Sequence, residues 1–469
     1  MNTKAGRPNI LWICTDQQRF DTVGALGNPY IHTPNVDRLV AEGMAFRYAF
    51  CQSPICTPSR ASFLTGMYPS TVHGCMNGND VWADAAPLVT KLLADSGYDC
   101  GLAGKLHLAG AASRIEPRGD DGYRVFHWSH DSRDLWPREH AYANWVRSKG
   151  AELGQLRQHP EKIPAELHQT TWCADMAIEF MAQQREQPWL MSVNVFDPHG
   201  PFDPPQSYLN RYSPDNLPAP LSGEDDHAAH AGLGPVDGFG TGTVSADRLR
   251  EIQAAYYAMI TLIDDNVGRM LDALEHTQQR ENTIVIFMSD HGEMLGDHGL
   301  LAKGCRFYEG LVRVPLIISW AGHFASGVVS DALVELTDIA PTLLEVAGTP
   351  APERMQGRSL APILSGTADP HTHRDSVRCE YYRALNPDAP GREEFTGTYA
   401  TMIRDRRYKL AAYHDRDVGE LFDLQADPGE FENRWEDRNY EDVRFDLMKQ
   451  SFDALALAVD VGSKQVVQF

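Results

Sequence analysis

Three stretches limit what this chain can fold into. Asn9–Cys14 (NILWIC) is an apolar run without alternation, and Trp189–Val195 (WLMSVNV) and Thr283–Met288 (TIVIFM) are mostly apolar. A strand with one wet face alternates, so these runs predict strands covered on both faces, as central parallel strands are. Tyr98–Ala103 and Val314–Trp320 are predicted to join them. Helical spacing over Asn35–Glu42, Pro87–Ser96, Trp172–Gln184, Ala246–Leu274 and Asp338–Val346 supplies the covering layers. Strands that alternate with helices predict an α/β fold, a large and mostly parallel sheet flanked by helices.

The character changes near Gly366–Arg374 (GTADPHTHR). Short strand-like segments follow at Arg378–Tyr382, Thr398–Arg404, Tyr408–Tyr413 and Glu420–Leu424, then a charged helical pattern over about Tyr440–Leu457. This predicts a smaller C-terminal antiparallel sheet with a helical tail. At 469 residues the chain exceeds what one hydrophobic core usually supports, about 250–300 residues. The expected division is 1–370 and 371–469. Gly200–Thr243, rich in Pro, Gly, Asp and His and without clear periodicity, reads equally as a lid or as a disordered or oligomer-contact segment.

Charge narrows the partners. The formal net charge is -22, which repels phosphate backbones and anionic membranes, so neither nucleic acid nor membrane is an expected partner. The apolar run near the N-terminus is too short for a signal h-region or a spanning helix. Eight cysteines are scattered without paired spacing, as suits a reducing compartment, and the expected location is cytoplasmic.

Chemistry-bearing residues stand where the predicted strands end. Asp16–Gln17 follows the first strand, and Asp290–His291 follows Thr283–Met288. Ligand sites of open α/β sheets lie at the carboxyl ends of strands. Two carboxylates, an amide and an imidazole can converge there on one divalent ion. The oxygen donors suit calcium and the imidazole shifts preference toward manganese, so both stay open. His227 and His230 imitate a metal pair but lie in a polar loop and are expected to be solvated. Asp297–His298 is expected to lie behind the ion site rather than in it.

Between these pairs runs Cys56–Thr57–Pro58–Ser59–Arg60–Ala61–Ser62–Phe63–Leu64–Thr65–Gly66. Its CxPSRxxxLTG pattern resembles the signature of formylglycine-dependent sulfatases, in the alkaline-phosphatase superfamily. The resemblance continues through PNILWICTDQ, TPNVDRLVAEG, GLAGKLH, DPHGPF, SDHGEMLGDHGLLAKG, LTDIAPTLLEVAG and ELFDLQADPGEFEN, most of the chain. It implies an alkaline-phosphatase-like fold. It also implies that Cys56 is oxidised to Cα-formylglycine by a separate formylglycine-generating enzyme. The hydrated aldehyde then attacks the sulfur of a small-molecule sulfate ester with one hydroxyl. Loss of the proton from the other expels sulfate by C–O cleavage.

By the same resemblance Arg60 braces the diol and the metal ligands, and Lys105 contacts diol and sulfate. His107 takes the second hydroxyl's proton. His199 and Lys303 stand at the sulfate and the leaving oxygen, and Asn77 adds a hydrogen bond to the sulfate. Residue 56 shares the ion with Asp16, Gln17, Asp290 and His291. Alternation along a short extended segment is expected to put Lys105 and His107 on one face. Many sulfatases carry two aspartates where this chain has Asp16–Gln17, and asparagine in place of His291. The versions found here occur in a branch that includes choline sulfatases and phosphonate monoester hydrolases. Phosphonate monoester or phosphodiester hydrolysis is therefore the alternative reading. The Lys105/His107 pair favours sulfate, because the phosphonate enzymes replace it. A homodimer or homotetramer is expected.

Overall fold

The computed structural model describes residues 6–82, 86–111, 114–131, 140–159, 162–224, 226, 230, 239–240, 244–385, 388 and 396–459. In chain order its strands are β1 (Asn9–Thr15), β2 (Met44–Phe50), β3 (Asp99–Gly104), β4 (Val125–Trp128), β5 (Trp189–Asn194), β6 (Phe239–Gly240), β7 (Thr283–Ser289), β8 (Leu300–Leu301), β9 (Arg313–Val314), β10 (Leu316–Ser319), β11 (Val328–Glu335), β12 (Val377–Tyr382), β13 (Tyr399–Arg404), β14 (Tyr408–Tyr413) and β15 (Val418–Asp423).

The main sheet runs in the order β11-β2-β10-β7-β1-β5-β3-β4, with β9 beside β2. Its centre, β7-β1-β5-β3-β4, is parallel throughout. β10 runs antiparallel between β7 and β2, so the sheet is mixed at one end. The missing alternation of β1 has a direct cause. Ile10, Trp12 and Cys14 enter one apolar layer while Leu11 and Ile13 enter the other, and all are buried. The helices Gln169–Met181 and Ala246–His276 cover the second layer. Val314–Trp320, expected as one strand, is two short ones, because Pro315 lacks the N–H that a continuous ladder needs.

The second sheet is the meander β12-β13-β14-β15, antiparallel at every step, with the helix Glu441–Leu457 packed on it. Among the described residues no helix is long and apolar enough to cross a membrane. The described part of the 200–243 segment is docked rather than free. The Tyr208 hydroxyl donates to Asp265 at 2.8 Å, the Tyr212 and Thr261 hydroxyls lie 2.5 Å apart, and both partners belong to the long helix. His227 and the apolar end VVQF lie outside the described residues. His230 is half-buried, its Nε2 2.8 Å from the carbonyl of His298, which corrects the expectation of a solvated ring.

Candidate active site

The carboxyl ends of β1 and β7 lie side by side, with Thr15 opposite Ser289. Asp16 and Asp290 are therefore the first residues past two adjacent parallel strands, and both are fully buried. The helix Cys56–Thr65 points its N-terminus at them. Ile55 is extended, Cys56 begins the helix, and Gly66 ends it in the left-handed region (φ 68), its N–H on the Ser62 carbonyl. All ten residues of that helix are buried. The Asn77 side-chain oxygen accepts from the Thr57 N–H at 3.3 Å, and Thr57 Oγ1 accepts from the Gly78 N–H at 3.0 Å. A helix start inside the core, partial positive charge outward, is a place for an anion.

Cys56 Sγ is the meeting point. It lies 2.7 Å from Lys303 Nζ, 3.1 Å from His291 Nε2, 3.6 Å from Asp16 Oδ1 and 3.8 Å from Lys105 Nζ. Burial and Asp16 raise its thiol, but Lys105, Lys303 and His291 outweigh them and hold it below the ordinary value. Arg60, one turn into the helix and fully buried, donates to Asp290 Oδ2 at 2.9 Å, to Asp16 Oδ2 at 3.2 Å and to the Lys105 carbonyl at 3.0 Å. Lys105 Nζ reaches Asp16 Oδ2 at 2.5 Å. Burial would raise Asp16, yet Lys105, His199, Lys303 and Arg60 keep it well below the usual carboxylate range.

The donor set fits a divalent cation. One ligand atom from each of Asp16, Cys56, Asp290 and His291 lies within 4.8 Å of the others. His291 Nδ1 donates to the Gly292 carbonyl at 2.8 Å, which turns Nε2 into the cluster. Burial lowers the His291 imidazole, but Asp290 and Cys56 push it up to about 9, so without an ion a proton sits where positive charge is wanted. Gln17, buried beside Asp16 with φ 71, has a side-chain oxygen without a hydrogen-bond partner among the described residues. A buried amide oxygen left open next to two carboxylates is what a further ligand looks like before its ion arrives.

Three histidines line the other side. His199 Nε2 lies 3.0 Å from Lys303 Nζ, and burial followed by that positive charge pushes its pKa well below the ordinary value. His107 is lowered in the same direction by burial, then by Lys105, His130 and Arg60. The rings of His107 and His130 meet edge to face at 4.4 Å. The extended segment assumed for Lys105–His107 is a turn instead, because β3 stops at Gly104 and His107 is left-handed (φ 57).

Two glutamates were not singled out from sequence. Glu116, buried, accepts the backbone N–H groups of His107 (2.8 Å), Leu108 (2.5 Å) and Ala109 (2.9 Å) and the Trp128 indole (3.1 Å). Glu293 accepts from Leu295 N–H at 3.1 Å, from Ala302 N–H and from the Gln17 amide. Neither stands out in sequence, since Glu116 lies in a charged stretch and Glu293 among glycines and other acids. His298 stacks on Tyr308 at 4.0 Å, and Asp297 pairs with Arg19 at 2.8 Å, both away from Cys56.

A family model described as Sulfatase matches residues 8–349. The chain belongs to the sulfatase family. A second model, the C-terminal region of N-sulphoglucosamine sulphohydrolase, matches residues 296–456 of this sulfatase. The arylsulfatase of Clostridium perfringens (strain 13 / Type A) is 31% identical, over 95% of this chain and 93% of its own. The multifunctional alkaline phosphatase superfamily protein PehA of Trinickia caryophylli is 31% identical over 91% of each chain. The crystal structure of the phosphonate monoester hydrolase of Agrobacterium radiobacter superposes with a TM-score of 0.85 at 28% identity, covering 98% of each chain. The predicted fold and class therefore stand: a sulfuric ester hydrolase on an alkaline-phosphatase-like scaffold.

Proposed function

We propose that this sulfatase hydrolyses small-molecule sulfate monoesters to an alcohol and inorganic sulfate, with Cys56 matured to Cα-formylglycine by a formylglycine-generating enzyme. Asp16, Gln17, Asp290 and His291 hold one divalent cation, Mn2+ or Ca2+, which residue 56 shares. The observation that carries this is the convergence of Lys303, His291, Asp16 and Lys105 on Cys56 Sγ, none farther than 3.8 Å.

The cation supplies charge for the sulfate oxygens and acidity for a hydroxyl. The hydrated aldehyde supplies the nucleophilic oxygen and, through its second hydroxyl, a route by which sulfate leaves. The rest falls to side chains in hand. Arg60 ties Asp16 and Asp290 together so that neither moves when an anion enters. Lys105 and Lys303 neutralise sulfate oxygens in a water-poor site, where fixed charges act strongly. Asn77 adds a polar contact at the helix start. His107, neutral across the physiological range by its lowered pKa, takes the proton that releases sulfate. The Lys303–His199 pair gives a proton to the departing oxygen.

Phosphonate monoester or phosphodiester hydrolysis is the second reading. The Asp16–Gln17 and Asp290–His291 donors favour it, as does the likeness to the Agrobacterium enzyme. Lys105 and His107 turn the ranking toward sulfate. The test is kcat/KM for an aryl sulfate and an aryl phosphonate on one preparation, with peptide mass across residue 56 and metal content from the same sample. We expect aldehyde mass, about one ion per chain by the donor count, and a sulfate preference. A phosphonate preference, or full activity with an unconverted thiol, overturns the reading.

We further assign residues 1–370 to catalysis and 371–469 to the smaller domain. We place the enzyme in the cytoplasm, since all eight cysteines are free. A homodimer or homotetramer is supported by the exposed apolar residues Phe445, Met448 and Phe452 on the last helix.

A further inference from the structure

Gln17 is tied to the Asp290 loop at both ends. Its backbone N–H donates to Asp290 Oδ1 at 3.0 Å, and its side-chain NH2 donates to Glu293 Oε2. Glu293 is fully buried. Its other oxygen is filled by the N–H groups of Leu295 and Ala302. Three donors thus meet the Glu293 carboxylate. Oε1 of Glu293 already takes two backbone N–H groups and Oε2 faces the Gln17 amide, which sets that amide with its NH2 toward Glu293. NH2 faces Glu293, and Oε1, open and buried, faces away from it.

We propose that Glu293 is a positioning residue for the cation: it fixes the Gln17 amide so that Oε1, not NH2, is presented to the ion. The proposal rests on the reading that Asp16, Gln17, Asp290 and His291 hold a cation. It also accounts for an amide at position 17. A carboxylate there would meet the Glu293 carboxyl at hydrogen-bond distance with no N–H between them, and the pair would have to take up a proton. Outer partners fix the orientation of other metal ligands in the same way.

The exchange of partners can be followed atom by atom. In Glu293→Gln the new oxygen keeps the Leu295 and Ala302 N–H groups, which leaves an NH2 facing the NH2 of Gln17. Relief comes when Gln17 turns over and points its NH2 at the ion. In the double variant Gln17→Glu/Glu293→Gln the donor and acceptor are swapped, the hydrogen bond is restored, and an oxygen again faces the ion.

The test is calorimetric titration of metal-free protein with Mn2+ and with Ca2+, folding being checked by thermal melting. Glu293→Gln is expected to weaken binding about 10- to 100-fold, the usual range for loss of an outer partner. The swap variant is expected to bind more tightly than Glu293→Gln by the same factor. In a Gln17→Ala background Glu293→Gln should change nothing further, because the effect acts through Gln17. Unchanged binding in Glu293→Gln overturns the proposal, as does an equal loss in the Gln17→Ala background. If Glu293→Gln does not fold, the swap decides alone, and a swap that folds but does not bind overturns the proposal. A wild-type protein that takes up neither ion overturns the underlying reading of the site, a distinct result.

Discussion

The two sides of the Cys56 cluster are built on opposite electrostatic plans. At the ends of β1 and β7 each carboxylate has its cation: Arg60 binds Asp16 and Asp290, and Lys105 binds Asp16. Across the cluster, Lys303 lies 3.0 Å from His199 and 3.4 Å from His291, and among the described residues no carboxylate is hydrogen-bonded to it. The first side is balanced at rest. The second sets a lysine against a thiol and two imidazoles, a place for an anion in a protein whose net charge of -22 repels anions elsewhere. The difference separates stability from catalysis: substitutions on the balanced side should unfold the protein, and those on the unbalanced side should mainly slow it.

Arg60→Met tests the balanced side and carries the largest expected effect. It leaves buried Asp290 without its cation and Asp16 with Lys105 alone, and breaking a buried ion pair from one end costs about 3–5 kcal/mol. Urea unfolding of metal-free protein should show that loss, and added Mn2+ should return part of it by supplying positive charge to the same oxygens. A loss below about 1 kcal/mol, the worth of an exposed pair, would erase the contrast. His199→Asn tests the other side. Melting should hardly change, while kcat should fall on the order of 10²-fold, the lower range for loss of proton transfer. The fall should be steep for alkyl sulfates and slight for nitrophenyl sulfate, whose leaving oxygen needs no proton. An equal fall for both esters would remove His199 from the leaving-group side.

The same contrast governs what could be read from sequence. β1 and β7 were legible because burial on both faces writes itself as an apolar run, and β5 because apolar residues outnumber Ser192 and Asn194 in it. β2, β4 and β11 were not. β2 carries the exposed Arg47, β4 is a half-buried edge, and β11 is interrupted by Ser330–Asp331 at a shift in register. The residues around Cys56 were legible because Cys56, Pro58, Arg60 and Gly66 sit in one helix and its cap. Glu293 was not, since its partner Gln17 is 276 residues away. Nor was Glu116, which binds three backbone N–H groups that no sequence pattern records.

Glu116 offers the smallest effect and the sharpest reading. It touches the loop that carries His107 and the Trp128 indole, and it holds His107 at φ 57. Glu116→Gln sets an NH2 among N–H donors and loosens the turn, so we expect a roughly 10-fold fall in kcat, about 1.4 kcal/mol. If His107 works after sulfuryl transfer, slowing that step lowers kcat and KM together and leaves kcat/KM nearly unchanged. The pH profile adds a check of sign. His107 must be neutral to accept a proton, and burial with Lys105 lowers its pKa, so activity should hold through neutrality and fall only on the acid side of its ordinary 6.5. A fall in kcat/KM with KM unchanged would move His107 to the transfer step and make Glu116 a brace for sulfate capture instead.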